Sequence, residues 1–381
     1  MGINVIFNVH NWAPLPFHFW SLVFFVLGCI VGSFLNVCIH RLPSGMSIVT
    51  PKSHCPNCKY SIPWYLNIPL VTWLALRGRC KNCGAPIAPR YFIVELLTGV
   101  AFLSCWLAFG NAGHPLPSLP LALVYAVFLA GLIVATFIDF EHLIIPDEIT
   151  LSGMAVGFTA SFSLPSLHGA STLNVGMQRS FIGAVVGAAT IYAILRLGKW
   201  LFGRQRVKLP VETKIIFTDT SVHLPDKEIS YDELFYRRSD VIVLHARTVE
   251  LVDRGYKDVM MRLALRSGLL EIEQDNFETE KLNPEEIHHL EAVGTEIVLP
   301  REAMGLGDVK FMGAIGAFIG WQGVMFSLML SSMIGAAVGV TLIAMRRREW
   351  SSRMPYGPYI ALAAAIWIFG GKRFFHALFA M

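Results

Sequence analysis

Long apolar runs, separated by shorter polar stretches, dominate the chain. A helix needs about 20 consecutive apolar residues to cross a bilayer, and eight runs approach that length. The pattern therefore predicts an all-α polytopic membrane protein with about eight transmembrane helices, and a tight turn at residues 320–323 between the sixth and seventh. The predicted spans are 17–39, 91–110, 117–138, 149–165, 179–202, 308–321, 322–345 and 357–379.

Two polar stretches interrupt this pattern and define the expected domains. Residues 40–90 contain four of the seven cysteines, and residues 203–303 are rich in charged residues. In the second stretch, the runs at 241–244 and 296–299 predict strands, and Asn283-Pro284 predicts the start of a short helix. We expect a small inserted α+β domain there and find no internal repeat. The predicted division is 1–39, 40–90, 91–202, 203–303 and 304–381.

Composition and charge support the membrane assignment. Charged residues make up 15% of the chain and the mean hydropathy is +0.54, whereas soluble domains carry roughly 25% charged residues. The net charge of +4 excludes a typical nucleic-acid binder. Lysines and arginines concentrate in 40–90 and 346–353, which predicts that these segments are cytoplasmic and that both termini lie outside. No cleavable signal pattern precedes the first run, so we expect it to be a retained span.

Two Cys-x-x-Cys pairs predict a metal site in the loop 40–90. Two residues between cysteines let one turn direct both sulfurs at one ion, and two such turns complete the four-thiolate shell that zinc favours. The ligands would be Cys55, Cys58, Cys80 and Cys83. Disulfides or a redox role are the alternatives, although a cytoplasmic location disfavours disulfides. The other three cysteines lie in or beside apolar runs and are read as small buried hydrophobes.

Two acidic residues at predicted span ends are candidates for catalysis. Asp139 ends the third span and Asp308 begins the sixth, and the predicted topology puts both at one face of the membrane. Two carboxyl groups around one water act as base and acid, as in aspartyl proteases. Taken singly, Asp308 could instead be a helix N-cap and Asp139 a solvated boundary carboxylate. We expect Asp147 to cap the fourth span. We expect both Glu141 and His142 to be solvated or orienting groups rather than catalysts.

A series of motifs, in order along the chain, resembles the bacterial type 4 prepilin peptidases, a GxGD-type family of intramembrane aspartyl proteases. The matching stretches cover most of residues 17–202 and 304–365. They are Gly32-Ser33-Phe34-Leu35-Asn36-Val37, His40-Arg41-Leu42-Pro43, the two cysteine pairs, Asn67-Ile68-Pro69-Leu70, Arg90-Tyr91, Val94-Glu95-Leu96-Leu97, Ile138-Asp139, Ile145-Pro146-Asp147, Gly305-Leu306-Gly307-Asp308-Val309-Lys310 and Tyr356-Gly357-Pro358-Tyr359.

The resemblance implies a bacterial inner-membrane enzyme with catalytic Asp139 and Asp308. It implies that the substrates are prepilins or pseudopilins, cleaved just before their apolar helix. It also implies that the same enzyme methylates the new N-terminal amine with S-adenosylmethionine. Glu95 is a candidate residue for methyl transfer by the same analogy.

One departure from the family and three alternatives stay open. Family members usually have a short connection where this chain has residues 203–303, which could cover the active site, bind a partner or be a tolerated insertion. The chain could also be a GxGD protease acting on other substrates, a proton-coupled transporter or a zinc-bearing scaffold. Carboxylates at span ends rather than at the bilayer midplane disfavour a transporter.

Overall fold

The computed structural model describes most of the chain in two compact units, Met1–Tyr192 with Gly305–Met381, and Ala193–Met304. The described residues are 16–111, 115–202, 204–224, 227–235, 240–251, 254–274, 279–284, 287, 289–300, 305–345, 354–371, 374, 375 and 377. The arginine cluster predicted to be cytoplasmic at 346–353 lies outside them.

The first unit is a bundle of apolar helices. Its helices are α1 (Phe17–Arg41), the short α2 (Val71–Ala75), α3 (Pro89–Phe109), α4 (Pro115–His142), α5 (Asp147–Ser163), α6 (Leu173–Phe202), which runs on past the end of the unit, α8 (Leu306–Ala344) and α9 (Gly357–Ile366), which continues into a π-helical turn, Trp367–Gly371.

Within the described residues, five helices are long and apolar enough to cross a membrane. They are Phe17–Ser44, Pro89–Phe109, Ser118–His142, Leu173–Gly198 and Leu306–Ala344. The protein is thus a helical membrane protein, as predicted. Helix α5 has 17 residues and α9 with its π turn is also shorter than the five. In α8, Gly320 adopts φ 72° and ψ 175°, which interrupts the helix where a turn between two spans was expected. The count of eight spans stays a prediction.

Close helix contacts in this unit depend on glycine. An added Cβ at Gly183 of α6 would lie 2.2 Å from the carbonyl oxygen of Gly316 in α8. A Cβ at Gly32 of α1 would lie 2.7 Å from the Cα atom of Glu95 in α3. Backbones approach this closely only where no Cβ stands between them, and small residues at helix interfaces are typical of membrane proteins, in which packing drives helix association.

The second unit is built on an antiparallel sheet of eight described strands in the order β3-β2-β1-β8-β4-β5-β6-β7. The strands are β1 (Arg204–Phe217), β2 (Ser221–Leu224), β3 (Lys227–Ser230), β4 (Ile242–Glu250), β5 (Gly255–Ala264), β6 (Leu269–Gln274), β7 (Glu280–Leu282) and β8 (Leu290–Pro300). The two predicted strand segments lie in β4 and β8.

The sheet buries an apolar core because its side chains alternate in and out. On β4, Ile242, Leu244 and Ala246 are buried and contribute to this core. In the described part of the unit, helix is limited to the end of α6, the four-residue α7 (Tyr231–Leu234) and a 3-10 turn. This part is a β-sheet domain, and the α+β composition stays a prediction. The helix predicted from Asn283 falls largely outside the described residues.

Candidate active site and metal centre

Asp139 lies in the last turn of α4 and is almost completely buried, with 5% of its surface exposed. Its Oδ2 atom accepts a hydrogen bond of 2.9 Å from the backbone N–H of Gly357, the first residue of α9. The chain leaves α4 one residue after His142, where Leu143 adopts a positive φ of 55°. The carboxyl group is therefore held at the junction of two helices rather than solvated at a boundary.

Asp308 lies in the first turn of α8, three residues after the N-cap residue Gly305. Its Oδ2 atom accepts a hydrogen bond of 3.1 Å from the backbone N–H of Gly305. Asp308 is thus not the N-cap residue itself, although its carboxylate satisfies one of the N–H groups that a helix start leaves unpaired.

The two aspartate-bearing segments meet around Ile145. An added Cβ at Gly307 would lie 3.2 Å from the Ile145 carbonyl oxygen, and one at Gly357 would lie 3.1 Å from Ile145 Cδ1. The segments that carry Asp139 and Asp308, 169 positions apart in sequence, therefore lie next to each other, and the two carboxyl groups are candidates to act together on one water.

Close in sequence to each aspartate lies a residue that forms an ion pair. Lys310 of α8 forms an ion pair with Asp147, with Nζ 2.6 Å and 2.7 Å from the two carboxylate oxygens. Asp147 was expected to cap α5, but that expectation is wrong because Pro146 occupies the N-cap position and Asp147 the first turn. Glu141 forms an ion pair with Arg90 of α3.

The four predicted metal ligands form a cluster. The sulfur atoms of Cys55, Cys58, Cys80 and Cys83 all lie within 4.8 Å of one another. The Cys55 and Cys83 sulfurs are 3.8 Å apart, which equals the separation of about 3.8 Å expected for a tetrahedral ion with bonds of about 2.3 Å. The cluster therefore has the geometry to bind one thiophilic metal ion.

The cysteine module is an internal repeat with an offset of 25 residues, which corrects the expectation that the chain has none. In the first copy, Cys55 N–H bonds to Tyr60 O and Ile62 N–H to Ser53 O. The second copy repeats both bonds 25 positions later, and isolated bridges His54–Ser61 and Arg79–Pro86 repeat in the same way. The shared letters are the two cysteines, the asparagine between them and the isoleucine four residues after the second.

The repeated asparagines cross between the two copies. Asn57 donates its side-chain N–H to the sulfur of Cys83 at 3.7 Å, and Asn82 donates to the sulfur of Cys58 at 3.5 Å. The hydrogen bond from Asn82 is the main reason that the pKa of Cys58 is lowered to about 6. The second copy thus stabilises the Cys58 thiolate of the first, the form that binds metal.

Glu95, the candidate for methyl transfer, lies in α3 and is buried. Its Oε2 atom accepts a hydrogen bond of 2.7 Å from the backbone N–H of Leu70. A cavity of about 1050 Å³ lies nearby, between α1 and the segment 48–71.

Several residues that hold these sites were not predicted. Gly357 lies in a motif that the resemblance used, but nothing in the sequence pairs its N–H with Asp139. Likewise, nothing in the sequence pairs Lys310 with Asp147. The asparagines were detectable, because the pattern Cys-x-Asn-Cys occurs twice.

Comparison with known proteins identifies the family. A model of the bacterial peptidase A24 N-terminal domain matches residues 26–109, and a model of the type IV leader peptidase family matches 126–209 and 287–340. The chain belongs to the type IV leader peptidase family. The resemblance predicted from the motifs is thereby confirmed, and the second model skips residues 210–286, which carry most of the sheet.

Several similar proteins share one name, and some of them align with almost the whole chain. A prepilin leader peptidase/N-methyltransferase of Myxococcus xanthus is 41% identical over 192 residues, which is 50% of this chain and 52% of the relative. Proteins of the same name from Aeromonas hydrophila and Pseudomonas aeruginosa are 27% and 25% identical over 94% of this chain and 92% of theirs. No solved structure matches significantly.

Proposed function

We propose that this protein cleaves the leader from type IV prepilins or pseudopilins with Asp139 and Asp308 as catalytic residues, and then methylates the new N-terminal amine. The observation that carries the proposal is the meeting of the two aspartate segments around Ile145 in a chain of this family. We place the reaction at the cytoplasmic boundary of the bacterial inner membrane, because the Lys- and Arg-rich loop 40–90 marks that side.

Cleavage uses one water and both carboxyl groups. The charged aspartate accepts a proton from the water as the water oxygen attacks the carbonyl carbon of the residue before the cut. The neutral aspartate hydrogen-bonds the carbonyl oxygen as charge develops on it. A proton then passes to the leaving nitrogen as the C–N bond breaks, so the products are a leader carboxylate and a free N-terminal amine.

The four cysteines would hold zinc in a structural role. All four positions of a tetrahedral ion are then filled by protein, which leaves none for water or substrate. The ion would stabilise a loop that is too small to form its own hydrophobic core.

S-adenosylmethionine would supply the methyl group. The cavity between α1 and the segment 48–71 is large enough for such a ligand. Within its lining, Lys52 provides a cation for a carboxylate and Trp64 an exposed aromatic face for a base. We propose that these residues contact the methyl donor, and that the β-sheet domain is a cytoplasmic accessory domain.

Mass spectrometry of a co-expressed prepilin tests both activities. We expect the wild-type protein to yield a mature pilin without its leader and with one additional methyl group, a gain of about 14 Da. Asp139→Asn and Asp308→Asn should each abolish cleavage, because neither carboxylate can fill both roles. Glu141→Gln, on the same helix end but outside the pair, is the matched control and should cleave normally. Complete processing by Asp308→Asn would exclude the mechanism.

A further inference from the structure

The turn at Leu70 is strained. Leu70 adopts φ 61° and ψ −51°, and the Val71 N–H donates to the Pro69 carbonyl oxygen across it at 2.6 Å. These values describe the rarer form of γ-turn, with a positive φ that a residue with a side chain rarely adopts. Such a conformation persists only where the surrounding structure holds it, so the contacts of Leu70 must supply that restraint.

Glu95 provides the restraint. Its carboxylate accepts the Leu70 N–H at 2.7 Å. Gly32, beside Ser33, allows α1 to approach α3 closely at the level of Glu95. One buried carboxylate therefore joins α3 to the strained turn that precedes α2, at the level where α1 packs closely on α3.

The turn forms part of the cavity wall, whereas Glu95 stands behind that wall. Ser33, Pro69 and Leu70 line the cavity of about 1050 Å³, and Glu95 is not among the described residues that do. A carboxylate that accepts a backbone N–H of the lining from behind it is placed to hold the wall rather than to touch a ligand.

The position of these residues in the chain separates them from the cleavage chemistry. Glu95, Leu70 and the cysteines all fall in the segment 26–109 that matches the N-terminal family domain. Asp139 and Asp308 both fall in segments that match the leader peptidase model. We therefore expect a substitution at Glu95 to affect methylation more than cleavage.

We propose that Glu95 is a positioning residue for N-methylation, which holds the turn at Leu70 and so shapes the cavity for the methyl donor. This inference rests on the proposed methyltransferase function. It replaces the idea that Glu95 takes part directly in methyl transfer.

Two substitutions at Glu95 separate a positioning role from a chemical one. Glu95→Gln keeps an oxygen that can accept the Leu70 N–H, so methylation should stay within about threefold of wild type. Glu95→Ala removes the acceptor, so methylation should fall by about tenfold or more, the usual effect of losing a hydrogen bond to a charged group. Both should cleave prepilin at the wild-type rate. Methylation is measured on a pre-cleaved pilin peptide, so that it does not depend on cleavage.

A second-site change tests the strain directly. Leu70→Gly in the Glu95→Ala background should restore part of the methylation, because glycine adopts positive φ without penalty. Hydrogen exchange of the amides at 67–71 should be faster in Glu95→Ala than in Glu95→Gln or wild type. Thr98→Ala is the matched control, since Thr98 lies one turn further along α3, is fully buried and bonds within its own helix to Val94.

The outcomes distinguish the alternatives. If methylation falls equally in Glu95→Gln and Glu95→Ala while the amides at 67–71 stay protected from exchange in Glu95→Gln, then Glu95 takes part directly in methyl transfer. Unchanged methylation in Glu95→Ala, or an equal loss of cleavage, would also overturn the positioning role. A wild-type protein that cleaves but never methylates would instead refute the methyltransferase function on which the inference depends.

Discussion

Gly357→Ala is the substitution that best tests whether the buried Asp139 depends on its backbone donor. An added Cβ at this position would lie 2.7 Å from Asp139 Oδ2 and 3.1 Å from Ile145 Cδ1. Nonbonded heavy atoms attract each other at roughly 3.5–4.0 Å, so the carboxyl group or the start of α9 must move by about 1 Å. The N–H of residue 357 is still present in the variant, but its geometry toward Asp139 is lost.

The expected magnitude follows from that displacement. Moving a reacting group by about 1 Å costs about a hundredfold in rate, which corresponds to about 2.7 kcal/mol of activation free energy. We therefore expect kcat for prepilin cleavage to fall about a hundredfold. Methylation of a pre-cleaved peptide should stay near the wild-type rate, because Gly357 is remote in sequence from the N-terminal family domain at 26–109.

Gly335→Ala is the matched control, since it adds the same methyl group to a membrane helix. Its Cβ would meet no atom nearer than 3.5 Å, an ordinary contact distance. Cleavage is followed in detergent or liposomes with a purified prepilin, with thermal unfolding measured alongside. Cleavage by Gly357→Ala within about twofold of wild type, in a protein of unchanged stability, would refute the placement of Asp139 against α9.

Two further predictions concern the metal centre and the ion pair beside the aspartates. Chelation should remove about one zinc ion per chain, and Cys58→Ser should prevent loading, as elemental analysis would show. Asn57→Ala and Asn82→Ala should each weaken zinc binding about 10- to 100-fold and by similar factors, measured by competition with a chromophoric chelator; a loss in only one would contradict the equivalence of the two copies. Lys310→Met should lower the free energy of unfolding by less than about 1 kcal/mol, because its pair with Asp147 is partly exposed, and a larger loss of cleavage than of stability would place Lys310 in the chemistry.

Features that depend on composition and short spacing were predictable. The apolar runs predicted the long helices within a few residues, because a bilayer demands a minimum apolar length. The cysteine spacing predicted the cluster, because two residues between ligands suit a single ion. Even the break at Gly320 could be expected from the pattern of Gly320-Trp321-Gln322-Gly323.

Features that depend on partners distant in the chain were not predictable. The pairing of β1 with β8 joins strands at opposite ends of their domain, and the local patterns of both strands are compatible with many other neighbours. Asp147 shows the same limit, since a carboxylate after a proline suits a helix cap, whereas a lysine 163 positions away determines its actual contact. Glu95 was noted for its motif alone. Its bond to the Leu70 N–H depends on a positive φ at Leu70, which no residue type in that segment predicts.

Backbone groups hold both of the aspartates that we propose as catalytic residues. Both Asp139 and Asp308 accept their described hydrogen bond through Oδ2, and both donors are glycine N–H groups. A backbone donor cannot rotate away as a side chain can, so one oxygen of each carboxyl group is held in place. Substituting Gly357 keeps the donor but forces a methyl group onto the acceptor. The glycine is therefore required for the space it leaves, and a search for catalytic side chains alone would overlook it.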